Sequence, residues 1–143
     1  MISQVTHKIY KFTMPLAVFL PRKTMPPRKY IVNKNNERNW NPFVCKAVKV
    51  AYCDVARLQL NGLVFNPRIR LDFTYYKPTA RRSDRTNVLS QHEKFFADAM
   101  VECGCMEDDS DEYIAHSHYY GGQLDRKNPR VEIVVSELIE REF

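Results

Sequence analysis

The sequence predicts a single α+β domain spanning residues 1–143, a small mixed β-sheet packed with two main helices in the order β-α-β-α-β-β. Three observations carry that prediction. First, 143 residues with 44% hydrophobic content are about one domain's worth, and no repeat or second core interrupts them. Second, apolar residues recur with a helical period in two segments and with a period of two in others, which mixes helices and strands within one chain. Third, 8 prolines against only 4 glycines, with 12% aromatic residues, describe a chain that packs a core rather than a low-complexity tract.

The elements follow in order. Lys8 to Phe12 and then Leu16 to Leu20 have the β-branched and aromatic character of one early strand, interrupted by Pro15. Residues 21–39 change to Pro, Lys, Arg and Asn and read as a long basic loop, in which Glu37 is the one acid. Asn41-Pro42 places a capping residue before a proline at the first helical position, and Val44, Val48, Ala51, Tyr52 and Val55 then recur at helical spacing until Asn61-Gly62, predicting a helix over 42–60. Arg68 to Tyr75 alternates polar and apolar residues strictly, the clearest strand signal in the chain, and Pro78 ends it.

A second helix follows, with an apolar stripe of Val88, His92, Phe95, Phe96, Ala99, Met100 and Cys103. Ser90 and Glu93 have the spacing of a capping box, and Gly104 stops it. Glu107 to Glu112 is an acidic loop, a strand begins near Tyr113, and Gly121-Gly122 turns the chain. Arg130 to Val135 returns as the last strand, leaving 136–143 as a short helical or frayed tail.

Charge is distributed unevenly. Residues 1–82 hold 16 Lys/Arg against 3 Asp/Glu and residues 83–143 hold 6 against 14, so the net +5 combines +13 with −8. A uniformly basic, histone-like protein is excluded; a basic half that attracts polyanions beside an acidic half that can gather cations is the pattern expected of a metal-dependent nuclease. No apolar run approaches the 18 residues of a membrane span, and neither a secretory leader nor a membrane partner is expected, which points to the cytoplasm. Cys45, Cys53, Cys103 and Cys105 lack zinc-site spacing and read as reduced structural thiols. His116 and His118 share one strand face and read as structural or exposed.

The second helix carries the sharpest chemical signal. Asn87, Lys94 and Asp98 fall together opposite its apolar stripe, which presents a lysine beside a carboxylate. Taken alone this is an ordinary solvated face with a Lys94/Asp98 pair worth tenths of a kcal/mol. Asp84 just before the helix and Asp108-Asp109 just after it change the balance. Phosphodiester hydrolysis at neutral pH is served by a hard divalent cation held on two or three carboxylate oxygens, and Asp84, Asp108 and Asp109 can supply them while Lys94 stabilises charge on the phosphate. The competing reading of 107–112 is a solvated acidic loop.

The ordered set Arg81-Arg82-Ser83-Asp84-Arg85-Thr86-Asn87, Glu93 to Met100, Gly104 and Met106-Glu107-Asp108-Asp109, closed by Asn128-Pro129-Arg130-Val131-Glu132, resembles the RusA family of Holliday-junction resolvases. The match covers roughly 68–135. The resemblance implies a homodimer that binds four-way DNA junctions in the host bacterial cell and nicks two strands symmetrically with Mg²⁺, or Mn²⁺ in its place, and with no small-molecule cofactor; members of this kind are often encoded by phages or prophages. It places the first family aspartate on Asp84, the motif asparagine on Asn87, the catalytic lysine on Lys94, the helix aspartate on Asp98 and the acidic pair on Asp108 and Asp109, with Asp109 the essential member. The second family aspartate is Thr86 here, and about four extra residues precede the lysine. Either another acid, Asp98 or Asp108, completes the metal site, or metal affinity and activity fall and the chain is a silent DNA-binding protein of the same fold.

The basic residues then have a role. Arg22, Lys23, Arg28, Lys29, Lys34 and Arg38 would neutralise phosphates, Arg81, Arg82 and Arg85 would guide the backbone to the metal, and Tyr30 and Trp40 can stack on bases. For Trp40, packing into the core is the stronger expectation.

Overall fold

A computed structural model describes the backbone of residues 2–142 and the side chains of residues 8–139. The chain runs β1 (Ile2–Met14), β2 (Ala17–Leu20), β3 (Arg28–Ile31), α1 (Lys34–Arg38), α2 (Pro42–Leu60), β4 (Ile69–Tyr76), α3 (Arg85–Glu102), β5 (Ile114–Gly121) and β6 (Arg130–Glu142). Four strands form a mixed sheet in the order β1-β6-β4-β5, and β2 and β3 form a separate antiparallel ribbon. The α+β class and a small mixed sheet agree with the sequence, while the separate ribbon and the short helix α1 add to the predicted order β-α-β-α-β-β.

β4 and β5 run parallel, from Ile69 beside Ile114 to Tyr75 beside Gly121. Parallel neighbours cannot be joined by a tight hairpin, and α3 is the crossover that joins them. β4 alternates strictly, so that Ile69, Leu71, Phe73 and Tyr75 face inward with Val131, Ile133 and Val135 of β6. α2 and α3 cover that face: Val48, Tyr52, Ala56 and Leu60 come from one, Leu89, Phe95, Phe96, Ala99 and Met100 from the other. α2 starts where its local signals place it, with the Asn41 side chain accepting from the Val44 N–H at 2.9 Å and Pro42 in the first turn.

Four expectations are corrected. The early strand is two strands in different sheets, because the chain bends at Pro15 and Leu16 and β2 leaves to pair with β3. The basic loop 21–39 is only partly loop, since Arg28–Ile31 is a strand and Lys34–Arg38 a short helix capped by Asn33, whose side chain accepts from the Asn36 N–H at 2.7 Å. Ser90 and Glu93 form no capping box, since both lie inside α3; the helix begins at Arg85 with Asp84, expected just before it, as its cap. The tail from Ser136 is neither helical nor frayed: β6 continues through it to Glu142, paired with β1 from Thr6–Leu138 to Ile2–Glu142, and Phe143 lies outside the described residues. Its Glu, Leu and Arg residues favour helix locally, and a distant partner strand overrides them. All four cysteines are free, and no helix among the described residues is long and apolar enough to cross a membrane.

Candidate functional site

Helix α3 organises the candidate site. Its start is fixed by Asp84, whose Oδ1 accepts from the N–H groups of Thr86 at 2.9 Å and Asn87 at 3.4 Å, a cap worth about 1 kcal/mol. Its end is fixed by Gly104 at φ +77°, with the Cys105 N–H closing onto the Met100 carbonyl at 2.9 Å. Between these points the buried face sets the rotation of the helix. His92 is fully enclosed, and its Nδ1 lies 2.8 Å from the Tyr52 hydroxyl of α2; burial holds its pKa down at about 3. With that face fixed, Lys94 points to solvent.

Lys94 lines a cleft of about 540 Å³ together with Lys34, Ser90, Glu93, Asp109, Asp111 and His116. Three segments converge here besides α3, one of them α1, which brings Lys34. The acidic loop brings Asp109, whose own N–H is held by the Asp108 side chain at 2.8 Å. β5 brings Tyr119, which packs edge-on against Phe73 and donates to Glu93 Oε1 at 2.7 Å, fastening the strand to the helix beneath the cleft. Burial, and then that bond, raise the Tyr119 pKa, so its hydroxyl stays a donor.

Asp84 lines a second cleft of about 450 Å³, with Tyr75, Lys77, Arg85, Thr86, Gly121 and Gly122. Gly122 is required there: a Cβ would lie 2.8 Å from the Tyr75 carbonyl oxygen, which also accepts the Gly122 N–H. Ten residues of helix at about 1.5 Å each separate Asp84 from Lys94, about 15 Å along the axis.

The predicted site residues are therefore divided. Lys94 and Asp109 come together, whereas Asp84 sits in the neighbouring cleft with its Oδ1 engaged by backbone. Asp98 is elsewhere on the helix, bonded to Lys49 of α2 at 3.0 Å rather than to Lys94, and that bond is the main reason the Lys49 pKa is raised. Lys94 turns instead toward Glu37 of α1, its Nζ 3.8 Å from Oε1. Asn87 points its Oδ1 at α1 and accepts from the Asn35 N–H at 2.8 Å.

Among the described residues no three Asp, Glu, His or Cys side chains are gathered so as to hold a metal ion, so the predicted set of Asp84, Asp98, Asp108 and Asp109 does not form one centre. The donors that do share a cleft are Asp109, Asp111 and Glu93. Their hard oxygens fit Mg²⁺ in the manner that uses one or two carboxylates and otherwise water and substrate phosphate.

The basic side chains are spread more widely. Arg22 folds back, its Nε donating to the Pro26 carbonyl at 2.8 Å, and the Arg28 guanidinium lies 5.1 Å over the Tyr30 ring. Tyr30 meets Trp40 edge-on at 5.7 Å, and Trp40 packs on the core as its bulk favours, leaving neither ring a free stacking platform. Lys23, Lys29 and Arg38 are exposed, as are Arg81, Arg82 and Arg85 ahead of α3, with the Arg85 guanidinium over Gly121.

Sequence reasoning singled out Lys34 only as one basic residue among six, and it missed Glu93 and Asp111 as cleft residues. The presence of a single acid, Glu37, in an otherwise basic segment is the one sequence signal that α1 meets a cation. No family model matches the sequence, and no curated protein matches it.

Proposed function

We propose that this protein is a cytoplasmic, structure-selective endodeoxyribonuclease of the RusA type, encoded by a phage or prophage, which binds four-way DNA junctions as a homodimer and nicks paired strands. The observation that supports this reading is the meeting of Lys94 and Asp109 in one cleft: the resemblance pairs these two residues, and 15 positions of chain separate them.

In this reading the exposed Arg and Lys side chains take up backbone phosphates and Lys94 places its ammonium against the scissile one, where it stabilises the charge that grows on the phosphoryl oxygens as water attacks phosphorus and the P–O bond to the leaving strand breaks. Asp109, lining the same cleft and with its N–H held by the Asp108 side chain, is the carboxylate that orients the attacking side. Mg²⁺, when bound by Asp109 with Asp111 or Glu93, supplies Lewis acidity and a more acidic water. A junction needs two incisions related by a two-fold axis, which a symmetric dimer provides.

A second reading, a DNA-binding protein of the same fold without cleavage, is favoured by one observation. The residue in place of the family's second aspartate is Thr86, and Asp84 beside it already accepts two backbone N–H groups. The test is a synthetic four-way junction incubated with the protein with and without Mg²⁺ or Mn²⁺, beside a linear duplex. Paired nicks confined to the junction and dependent on the cation are expected. Junction binding without nicks establishes the second reading, and neither binding nor nicks overturns both.

A further inference from the structure

We propose that α1 is a strap that brings a second lysine, Lys34, to the phosphate held at Lys94, and that Asn87 is the positioning residue that fastens the strap. The proposal rests on the nuclease or DNA-binding reading above.

α1 itself has no buried residue, although Val32 before it and Trp40 after it pack into the core and anchor its two ends. Between those anchors, polar contacts set how it lies against α3. Asn33 caps it, and the Asn36 side chain donates back to the Ile31 carbonyl at 3.1 Å, which makes the turn from β3 a rigid unit. That unit is then attached to α3 at two points: the Asn35 N–H donates to Asn87 Oδ1 at 2.8 Å, and Glu37 faces Lys94 Nζ at 3.8 Å. The first is a neutral hydrogen bond of ordinary length, and the second is a long, half-exposed ion pair worth little. Asn87 therefore supplies most of the direct attachment to α3.

The result is that Lys34, one residue before Asn35, lines the cleft that also holds Lys94 and Asp109. Among the described residues Lys34 has no carboxylate within salt-bridge distance, whereas Lys49 on the next helix is taken by Asp98. A cleft lined by two lysines matches a phosphate that gains negative charge better than one lysine does. Glu37 serves the unliganded state, holding Lys94 in place until phosphate displaces it. The asparagine of the Asp84-to-Asn87 motif thereby acts through backbone and through Lys34, not on the phosphate itself.

The experiment measures junction binding by fluorescence anisotropy over a range of KCl, without added divalent cation, for the full chain and for Lys34→Ala, Asn87→Ala and the double variant, with circular dichroism to check folding. Loss of one phosphate contact lowers the slope of log K against log salt by about 0.9 and weakens binding roughly eightfold at 0.1 M salt. Lys34→Ala is expected to show that change. Asn87→Ala, which removes no charge, is expected to show most of it, and the double variant to show no more than Lys34→Ala alone. A wild-type slope in either single variant, or additive losses in the double, overturns the strap while junction binding by the parent keeps the functional reading. Absence of junction binding by the parent overturns both. If Asn87→Ala does not fold, Lys34→Ala alone still decides whether the second lysine contacts phosphate.

Discussion

The two clefts along α3 use their aspartates in opposite ways. At the start of the helix, Asp84 is a structural cap, with Oδ1 turned to two backbone N–H groups and with arginine and glycine around it. In the other cleft, 25 residues further along the chain, Asp109 has its N–H held by the Asp108 side chain and its own side chain exposed, in the cleft that Lys94 also lines. One acid completes a fold and the other is available for chemistry. Neighbouring motif residues in a sequence can thus serve different needs once a helix separates them.

The comparison can be broken most directly at Asp109. Asp109→Asn is expected to abolish nicking, by about a thousandfold or more, while junction binding stays near normal or tightens because a negative charge leaves the DNA side; loss of binding with retained cleavage would sink the assignment. Lys94→Ala should lower the nicking rate by about 10²- to 10³-fold, measured under single-turnover conditions with junction in deficit.

The face of α3 behind both clefts offers a stability test. His92 titrates near 6.5 when unfolded and at about 3 when folded, so its contribution to stability is complete above pH 6.5 and is lost as pH falls. Urea midpoints should therefore drop below pH 6.5 with a slope approaching about 1.4 kcal/mol per pH unit, and His92→Phe should flatten that slope. A slope unchanged by the substitution would mean that another group controls acid unfolding.

The smallest effects are at Asp84. Asp84→Ala should cost about 1 kcal/mol of stability and Asp84→Asn almost none, since asparagine caps equally well. If Asp84→Asn instead removes nicking as completely as Asp109→Asn, the two clefts act as one site and the division drawn between them fails.

How much of this was legible in the sequence depended on how local the cause is. α2 could be read to its first and last residues because Asn41, Pro42 and the Asn61-Gly62 break all act within a turn of the helix end. β4 was equally plain, its alternation being the direct imprint of one buried and one open face. The tail was misread because its strand depends on a partner about 130 residues away. In the candidate site, the pairing expected between Lys94 and Asp98 gave way to Glu37 and Lys49, since helical spacing says nothing about what packs alongside. The nearness of Lys34 to Lys94 was hidden for the same reason, for it depends on the Asn35–Asn87 bond.

The position of β6 has a consequence for how the protein folds. It is the last element in the chain yet lies second in the sheet, hydrogen-bonded to β1 on one side and β4 on the other. Until residues beyond 130 are available, the first strand has no neighbour in its sheet, and β4 and β5 form a two-stranded fragment with one edge open. Such long-range closure makes folding slow, in the millisecond-to-second range typical of non-local sheets, and makes it sensitive to shortening from the C-terminal side. The helices can begin to form early, but the sheet beneath them is completed last.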